Sequence, residues 1–180
     1  GGETVKVEFS IPAELKADFN YTPGQYINFN VDVNGKNYRR SYSICSGPNE
    51  PLAVAVKKVK DGVISTWFNQ NVESGTTILA SAPEGGFILS NTANNIVAIA
   101  AGSGITPIMS IAKSLEEKES KVELFYGNRS ENEILFKSEI DALKNTQPNY
   151  FLSREKKEGF ASGRIEKESF TDIIKANLNI

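Results

Sequence analysis

The chain has 180 residues, no histidine and a single cysteine, Cys45. Without histidine, Ser-His-Asp catalysis, Cys-His catalysis and histidine-ligated metals are excluded within these residues. One cysteine also excludes an internal disulfide, a cysteine-rich zinc site and an all-cysteine iron-sulfur cluster. Any reaction carried out here must therefore use carboxylates, hydroxyls, lysine or a bound cofactor.

Long apolar runs and a strong net charge are also lacking. No run approaches the length that spans a bilayer, and the first residues, GGETVKVEFS, lack the sections of a signal peptide. The net charge is -2 and 39% of the residues are hydrophobic, so no global basic surface indicates nucleic acid or anionic lipid. These features predict a globular, cytoplasmic protein that binds neither nucleic acid nor a membrane.

The first half of the chain has the pattern of β structure. Apolar residues alternate over residues 5–9 and 27–33, as in half-buried strands. Asn34-Gly35 predicts a hairpin turn before the strand that carries Arg40 to Ser43. A short helix is expected around Ser65 to Phe68. Residues 1–90 are thus expected to form an antiparallel barrel or sandwich.

From residue 91 onward, strands and helices alternate. The continuous apolar run from Ile96 to Ala101 is typical of a strand covered on both faces in a parallel sheet. The next helix is expected to have Thr106 as its N-cap and Pro107 as its first residue. A capping box of Ser130 with Glu133 predicts another helix. The apolar positions of this helix are Phe136, Ile140 and Leu143, and strands are expected on either side of it at Val122–Tyr126 and Tyr150–Ser153. The last helix is predicted from the spacing of Phe170, Ile173, Ile174 and Leu178.

The segment Arg40-Ser41-Tyr42-Ser43 joins an arginine, an aromatic ring and hydroxyls within one expected strand. Alternation puts Arg40 and Tyr42 on one face and Ser43 on the other. Arg40 then suits a phosphate, Tyr42 a flat ring and Ser43 a ring nitrogen, which together fit a flavin nucleotide. An ordinary half-buried strand with a surface arginine and a packed tyrosine explains the same residues.

The segment GSGITP, residues 102–107, follows an apolar strand and precedes a helix. Glycines let a ligand approach the backbone, and a helix N-terminus offers N–H groups to a pyrophosphate. Pro107 stands where the dinucleotide fingerprint has its third glycine. A plain tight turn into a helix is the alternative.

Further candidate anion sites lie at strand ends and before the short helix. Ser153-Arg154 and Gly127-Asn128-Arg129 each end an expected parallel strand, where such sheets bind their ligands. Another possible site combines Lys57 and Lys58 with Gly62, Ser65 and Thr66 at the start of the short helix. The alternatives are a solvated charged loop for Ser153-Arg154, a plain turn for Gly127-Asn128-Arg129 and surface solvation for the lysines.

Taken in order, RSYS, GVIST, PEGGF, GSGITP, YGNRS and LSRE resemble the ferredoxin-NADP reductase superfamily across nearly the whole chain. Within it, RSYSICS, YGNRS and LSRE are most similar to reductase components of bacterial oxygenases, especially of the phenylacetyl-CoA ring epoxidase. The resemblance implies an antiparallel FAD-binding barrel, residues 1–90, followed by a Rossmann-like NAD(P)-binding domain with a parallel sheet, residues 91–180.

The resemblance also implies roles for individual residues. Arg40 would hold the FAD pyrophosphate, Tyr42 would pack on the isoalloxazine ring, Ser43 would hydrogen-bond near N5, and Thr106 would lie near the nicotinamide. Tyr42, Ser43 and Thr106 are thus the expected catalytic residues. The other expected cofactor contacts are Ser41; Val56 and Lys57 for the phosphate-ribose portion; Gly62, Val63, Ile64, Ser65 and Thr66 for the pyrophosphate; Gly102, Gly104, Pro107 and Arg129 for the nicotinamide nucleotide; and Ser153 and Arg154 for its 2′-phosphate.

The implied activity is electron transfer from NADPH, preferred over NADH, through FAD to an iron-sulfur centre. That centre would lie on a ferredoxin-like partner or a domain outside these residues, and oxygenase subunits would receive the electrons. A stand-alone ferredoxin or flavin reductase and a non-catalytic nucleotide-binding module are the alternatives. Because the family's Cys-Gly-Pro motif does not occur before Ile180, we expect the NAD(P)-binding domain to be incomplete at its C-terminal end.

Overall fold

The computed structural model describes residues 3–90, 95–116, 118, 120–166, 171 and 175. The chain divides into two compact units. The barrel unit comprises Gly2–Ser90 and Thr106–Ser114, and the sheet unit comprises Asn91–Ile105 and Leu115–Ile180. A helix from the second half of the sequence therefore packs within the barrel unit.

Antiparallel strands build the barrel unit: β1 (Thr4–Glu8), β2 (Tyr26–Val33), β3 (Lys36–Ser43), β4 (Ala53–Lys57) and β5 (Leu79–Ala80). β1 pairs with β4, and β3, β2 and β5 form a second sheet in that order. A bridge between Ile44 and Val54 links the end of β3 to β4. The helix α1 (Val63–Asn71) contacts β4 and β2, and it confirms the short helix predicted in this half.

The β2–β3 hairpin has the turn that its sequence predicts. Asn34 and Gly35 have φ values of 51° and 73°, the combination that a two-residue hairpin turn requires. The turn sets the register, which pairs Phe29 with Arg40 and Ile27 with Tyr42. Ile27, Phe29, Val54 and other apolar residues of the two sheets and α1 form the barrel core. Full burial of one such side chain contributes about 1.5–3 kcal/mol.

The sheet unit contains β6 (Asn95–Ala101), β7 (Lys121–Asn128), β8 (Thr146–Leu152) and β9 (Ala161–Ser162), parallel and adjacent in that order. In sequence, α2 (Ile105–Ser114) separates β6 from β7, and α3 (Lys137–Ala142) separates β7 from β8. Because the strands are parallel, their carboxyl ends meet at one edge of the sheet. An antiparallel barrel followed by a parallel α/β sheet confirms the predicted fold class. None of the helices in the described part of the chain is long and apolar enough to cross a bilayer.

The start of α2 differs from the prediction. A 3-10 turn, Gly102–Gly104, runs directly into α2, which begins at Ile105. Thr106 therefore lies inside the first turn and is not the N-cap, and Pro107 is not the first helical residue. Proline is tolerated here because the first N–H groups of a helix have no intrahelical acceptor.

The capping box predicted at Ser130 and Glu133 is wrong. Ser130 precedes a short 3-10 turn, Glu131–Glu133, and makes no side-chain capping bond. Phe136, predicted to be helical, has a φ of 59° and lies just before α3, while Ile140 is buried within α3. The left-handed backbone at Phe136 interrupts the helix, so α3 begins only at Lys137.

The strands of the sheet unit also depart from the prediction in detail. β8 begins at Thr146 and not at Tyr150, and the short β9 was not predicted. Residues 96–99 are only half-buried, because β6 lies at the edge of the described sheet. The last helix was predicted from Phe170, Ile173, Ile174 and Leu178, which lie outside the described residues.

Candidate functional site

Arg40 and Tyr42 share the core-facing side of β3, as the alternation predicts. Their partners on β2 are the core residues Phe29 and Ile27, and directly paired residues point to the same face. The Tyr42 ring meets Phe68 of α1 edge-on, with 5.4 Å between the ring centroids. Burial raises the pKa of Tyr42, so its ring stays neutral at physiological pH. The structure thus brings the RSYS strand and α1 together.

β3 is the edge strand of its sheet, and the side turned away from β2 carries main-chain hydrogen-bonding groups. The Ile44 N–H points the other way and donates to the Gln25 carbonyl at 2.9 Å, which fixes the alternation along the β2–β3 pair. By the alternation of antiparallel pairs, the N–H and C=O groups of Ser41 and Ser43 point away from β2. Arg40 is exposed, and its Nη1 donates to the Arg39 carbonyl at 2.7 Å. An arginine, a ring and main-chain donors therefore share one stretch of strand edge.

The Ser41 hydroxyl is already engaged inside the protein. It donates to Asn28 Oδ1 at 2.5 Å, and the buried Asn28 donates through Nδ2 to Glu84. Arg39 Nη2 lies 3.7 Å from the same Glu84 carboxylate. Ser41 therefore ties β3 to the segment PEGGF, and this tie was not predicted from the sequence.

Gly62 starts α1 in a space that admits no side chain. A Cβ there would lie 2.4 Å from both Ser65 Oγ and Val59 Cγ2. Ser65 Oγ donates to the Gly62 carbonyl at 3.2 Å and accepts the Val59 N–H at 3.2 Å. The Ser65 hydroxyl thus closes the turn, and the N–H groups at the start of α1 are the donors that suit a pyrophosphate.

A cavity of about 300 Å³ opens beside this turn. That volume lies at the lower end of the range of about 300–1,000 Å³ for small-molecule sites. The lining residues come from β2, the turn and the outer side of α1: Val33, Asp61, Gly62, Val63, Thr66, Trp67, Gln70 and Asn71. Three residues expected to wrap a pyrophosphate, Gly62, Val63 and Thr66, therefore line one cavity.

Two of the expected cofactor contacts, Val56 and Ile64, are core residues with 0% and 2% exposure. Only their main chain can meet a cofactor, and the Val56 carbonyl already accepts from Asn69 Nδ2 at 3.1 Å. Lys57 is half-buried at the end of β4 and points to the opposite face from Val56.

In the sheet unit, the turn Gly102–Gly104 leaves space for a ligand at its backbone. Gly102 has a φ of 51°, which favours glycine, and a Cβ on Gly102 or Gly104 would meet no atom within 4 Å. The buried Tyr126 of β7 donates its hydroxyl to the Gly102 carbonyl at 2.8 Å and accepts the Leu135 N–H at 3.3 Å. Burial raises the pKa of Tyr126 to about 12, so this donor keeps its proton.

Thr106 and Pro107 lie in the first turn of α2 within the barrel unit. Thr106 is buried and Pro107 is half-buried. Their expected contacts with the nicotinamide stay a prediction.

The ends of β7 and β8 lie side by side, as a parallel sheet requires. The Ser153 N–H donates to the Asn128 carbonyl and the Arg154 N–H donates to the Arg129 carbonyl, each at 2.9 Å. Arg129 and Arg154 are both exposed, so the structure places two arginines at one edge of the sheet. The unpredicted β9 ends at the same edge and is followed by Arg164.

The charged loop after Arg154 is held by the protein and is not merely solvated. The Glu155 carboxylate accepts the Glu131 N–H at 2.8 Å, and Lys157 pairs with the Glu131 carboxylate. These contacts restrict the backbone that carries Arg154, which lowers the entropy lost when a ligand binds.

The residues present fit two nucleotides. For a flavin, the barrel unit offers Arg40 and Tyr42 on an edge strand, where Tyr42 contacts α1, and a cavity at the start of α1. For a nicotinamide dinucleotide, the sheet unit offers an open glycine turn and two arginines at the carboxyl edge of a parallel sheet. Both groups need phosphate-binding donors, and both sites contain them.

The chain is similar to known oxidoreductases. The chain matches an oxidoreductase FAD-binding domain over residues 2–88 and an oxidoreductase NAD-binding domain over residues 98–179. The ferredoxin reductase component of 3-ketosteroid-9-alpha-monooxygenase from Rhodococcus rhodochrous is 36% identical over 151 residues, which are 81% of this chain and 43% of that protein. A component of the 1,2-phenylacetyl-CoA epoxidase from Escherichia coli (strain K12) is 35% identical over 153 residues, again 81% of this chain and 43% of that protein. The chain therefore spans less than half the length of these relatives.

Among solved structures, a ferredoxin NADP+ reductase from Neisseria gonorrhoeae with bound FAD and NADP has a TM-score of 0.80 at 22% identity. The match covers 98% of this chain and 73% of that one. The expected oxidoreductase class and the expected cofactors, FAD and a nicotinamide dinucleotide, are confirmed. The chain belongs to the ferredoxin-NADP reductase superfamily, the oxidoreductases that join an FAD-binding domain to an NAD-binding domain.

Proposed function

We propose that this chain is the FAD- and NADPH-binding part of an oxygenase reductase, which supplies electrons to an iron-sulfur centre. The relatives from Rhodococcus and Escherichia coli are a reductase component of a monooxygenase and a component of an epoxidase, which supports this role. A phenylacetyl-CoA-type oxygenase is the specific acceptor system that we propose. The iron-sulfur centre belongs to a partner or to another domain, since Cys45 is the one cysteine of these residues.

The observation that carries the proposal is the position of Arg40 and Tyr42 on the edge strand beside α1. When bound, FAD accepts a hydride from NADPH and releases electrons singly. In this proposal, Arg40 and the first N–H groups of α1 hold the pyrophosphate, Tyr42 covers the ring and Ser43 hydrogen-bonds to it. The protein supplies placement and electrostatics.

The nicotinamide nucleotide is assigned to the residues after β6, β7 and β8. Gly102, Gly104 and Pro107 would cradle it, with Thr106 near the nicotinamide. Ser153 and Arg154, with Arg129 beside them, would bind the 2′-phosphate that distinguishes NADPH from NADH. We accordingly assign residues 1–90 to the FAD-binding domain and residues 91–180 to the NAD(P)-binding domain.

The visible spectrum of the purified chain tests the proposal. We expect a yellow protein, or one that takes up added FAD, whose flavin absorbance bleaches when NADPH is added without oxygen. A chain that stays colourless after addition of FAD would instead support the non-catalytic nucleotide-binding module.

Arg39 provides a matched control for Arg40. The two arginines are adjacent on β3, but Arg39 points to the opposite face and approaches Glu84. We expect Arg40→Ala to weaken FAD binding by about tenfold or more, as loss of a charge-assisted bond of about 1.5–3 kcal/mol implies, while Arg39→Ala changes it little. Equal effects of the two substitutions would contradict the pyrophosphate assignment.

A stand-alone ferredoxin or flavin reductase is the second candidate. The likeness to the Neisseria gonorrhoeae ferredoxin NADP+ reductase, of which this chain covers 73%, favours it. Turnover of free flavin as a dissociating substrate, or rapid reduction of a ferredoxin without oxygenase subunits, would identify this function.

A further inference from the structure

A buried hydrogen bond joins α2 to the loop that follows β3. Ser110, in the middle of α2, donates its hydroxyl to the Ser46 carbonyl at 2.7 Å, and both residues are fully buried. Ser46 lies shortly after Ser43, the last residue of β3. The bond therefore connects the RSYS strand to a helix 64 residues further along the chain.

A second contact lies one turn further along α2. Lys113 Nζ is 2.9 Å from the Glu50 carboxylate, and the Lys113 side chain is only 10% exposed. The same carboxylate accepts the Gly47 N–H at 3.0 Å. Helix and loop are in close contact here, since a Cβ on Gly47 would lie 3.0 Å from Lys113 Cβ.

The polar groups of this loop are mutually satisfied. Tyr21 donates its hydroxyl to the Gly47 carbonyl at 2.7 Å, and Ser46 Oγ accepts the Ala53 N–H at 3.0 Å. The Tyr21 hydroxyl also lies 3.0 Å from Ser46 Oγ and 3.0 Å from the Ser46 carbonyl, so Tyr21 and Ser110 share that carbonyl as an acceptor. A buried network with its members paired is rigid. Loss of the Ser110 hydroxyl leaves the Ser46 carbonyl with Tyr21 as its donor and removes the bond that links it to α2.

We propose that Ser110 is a positioning residue, which acts through Ser46 to fix α2 and its Thr106 relative to Tyr42 and Ser43. The residues named all belong to the barrel unit. Ser110 is one helical turn from Thr106 on the same face, so a restraint at Ser110 limits the movement of Thr106 directly. The inference rests on the proposed function, because it matters for electron transfer only if the flavin and nicotinamide contact these residues.

Positioning of this kind affects rate more than affinity. Reacting groups must stay within a few tenths of an ångström of their productive geometry, and a displacement of about 1 Å can cost about 100-fold in rate. Loss of the Ser110 bond loosens the contact of α2 with the loop, while Arg40 and the start of α1 still bind flavin. The expected signature is a lower limiting rate with unchanged flavin affinity.

Ser114 is the matched control for Ser110. It lies on the same helix and donates its hydroxyl to the Ile111 carbonyl at 2.7 Å, within α2 itself. Ser110→Ala and Ser114→Ala therefore each delete one hydroxyl-carbonyl bond of equal length, but only the first removes a bond between α2 and the loop. Ser110→Thr keeps a hydroxyl and serves as the conservative variant.

Amide hydrogen exchange of the flavin-free chain gives the first readout. We expect Ser110→Ala to speed exchange in the peptide that covers residues 44–50, while Ser114→Ala leaves it unchanged. Flavin-loaded protein gives the second readout. The limiting rate of flavin bleaching by NADPH should fall by about tenfold in Ser110→Ala, while the FAD dissociation constant stays within about twofold of wild type. In Ser110→Thr the bleaching rate should recover.

Equal exchange in Ser110→Ala and Ser114→Ala would overturn the inference, as would an unchanged bleaching rate despite faster exchange. A fall in FAD affinity that matches the fall in rate would also overturn it, because Ser110 would then support only the fold. If wild-type chain takes up no FAD, the proposed function fails and the positioning role fails with it. The exchange comparison then still decides whether Ser110 restrains the loop.

Discussion

Tyr126 and Gly102 are joined by a 2.8 Å hydrogen bond from the tyrosine hydroxyl to the glycine carbonyl. Tyr126 is on β7, and Gly102 begins the turn that follows β6. A fully buried side chain on one strand therefore holds the candidate nucleotide turn at the end of the neighbouring strand. Because the hydroxyl also accepts the Leu135 N–H, one group stabilises two loops.

Tyr126→Phe should weaken NADP+ binding while it leaves FAD binding unchanged. The substitution removes the donor to Gly102 and the acceptor of Leu135, and a hydrogen bond of about 1 kcal/mol implies a loss of affinity of about fivefold. Titration of the flavin-loaded protein with NADP+, followed by difference absorbance, measures the change. The high pKa of Tyr126, about 12, means that this hydroxyl adds no pH dependence to NADP+ affinity between pH 6 and 9.

Tyr150→Phe is the control for that experiment. Tyr150 pairs with Tyr126 in the sheet register, but its hydroxyl donates to Asp141 at 2.7 Å and does not reach the turn. An equal loss of NADP+ affinity in both variants would show that the sheet is merely destabilised.

Arg154→Ala should raise the Michaelis constant for NADPH much more than that for NADH. A 2′-phosphate dianion needs a fork of donors, and loss of one charge-assisted partner of about 1.5–3 kcal/mol predicts an increase of about tenfold or more for NADPH. Lys156→Ala removes the same charge from the same exposed loop and serves as the control. Similar changes with both coenzymes would refute the 2′-phosphate assignment.

Gly62→Ala should destabilise the start of α1 and weaken FAD binding. The added Cβ would overlap Ser65 Oγ and Val59 Cγ2 at 2.4 Å, and overpacking of this kind costs about 1–3 kcal/mol. Thermal unfolding with and without FAD measures both effects. Gly86→Ala, where a Cβ meets no atom within 4 Å, should leave the melting temperature unchanged. A Gly62→Ala protein with normal stability and normal FAD affinity would contradict the geometry of this turn.

Acid should weaken the contact of Glu50 with Lys113. Burial raises the pKa of Glu50, but the Gly47 N–H and Lys113 outweigh it and hold the pKa below its ordinary value of 4.5. A carboxyl whose pKa is lowered on folding stabilises the protein above its unfolded pKa, and this contribution is lost as the pH falls through the folded value. The expected contribution is modest, about 1 kcal/mol or less, since Glu50 is partly exposed.

The melting temperatures of wild type and Glu50→Gln should therefore differ at neutral pH and converge as the pH falls below 4.5. Glu14→Gln, at an exposed position of the same unit, is the comparison for a general charge effect. A constant difference between wild type and Glu50→Gln across this range would contradict the role of the carboxylate.

The fold class was predictable where local chemistry decides the backbone. Asn34 and Gly35 tolerate positive φ, and the hairpin follows from them. Phe136 shows where such prediction fails. An aromatic residue gives no indication of a left-handed backbone, yet Phe136 adopts one, and α3 consequently begins after it and not at the expected capping box. The two residues of β9 are too few for a period to be recognised.

The motifs of the candidate site were predictable as phosphate-binding segments, but the long-range hydrogen bonds that hold these segments in place were not. The Ser41 hydroxyl binds Asn28, and Asn28 binds Glu84, which is 56 residues away. The Ser110 bond to Ser46 spans 64 residues. Such contacts depend on how the chain packs, and no spacing within one segment encodes them.

The packing of α2 within the barrel unit affects how the protein can be divided for study. A cut after Ser90, where the pattern changes from strands to alternating strands and helices, would remove this helix from the barrel unit and with it the Ser110 donor to the Ser46 carbonyl. A barrel fragment that includes α2 must also include β6, which lies between Ser90 and α2 in the sequence. Alternatively, α2 can be added to a fragment of residues 1–90 as a separate peptide. Titrating that peptide into a fragment of residues 1–90 would measure in solution how much the barrel depends on a helix encoded beyond its own sequence boundary.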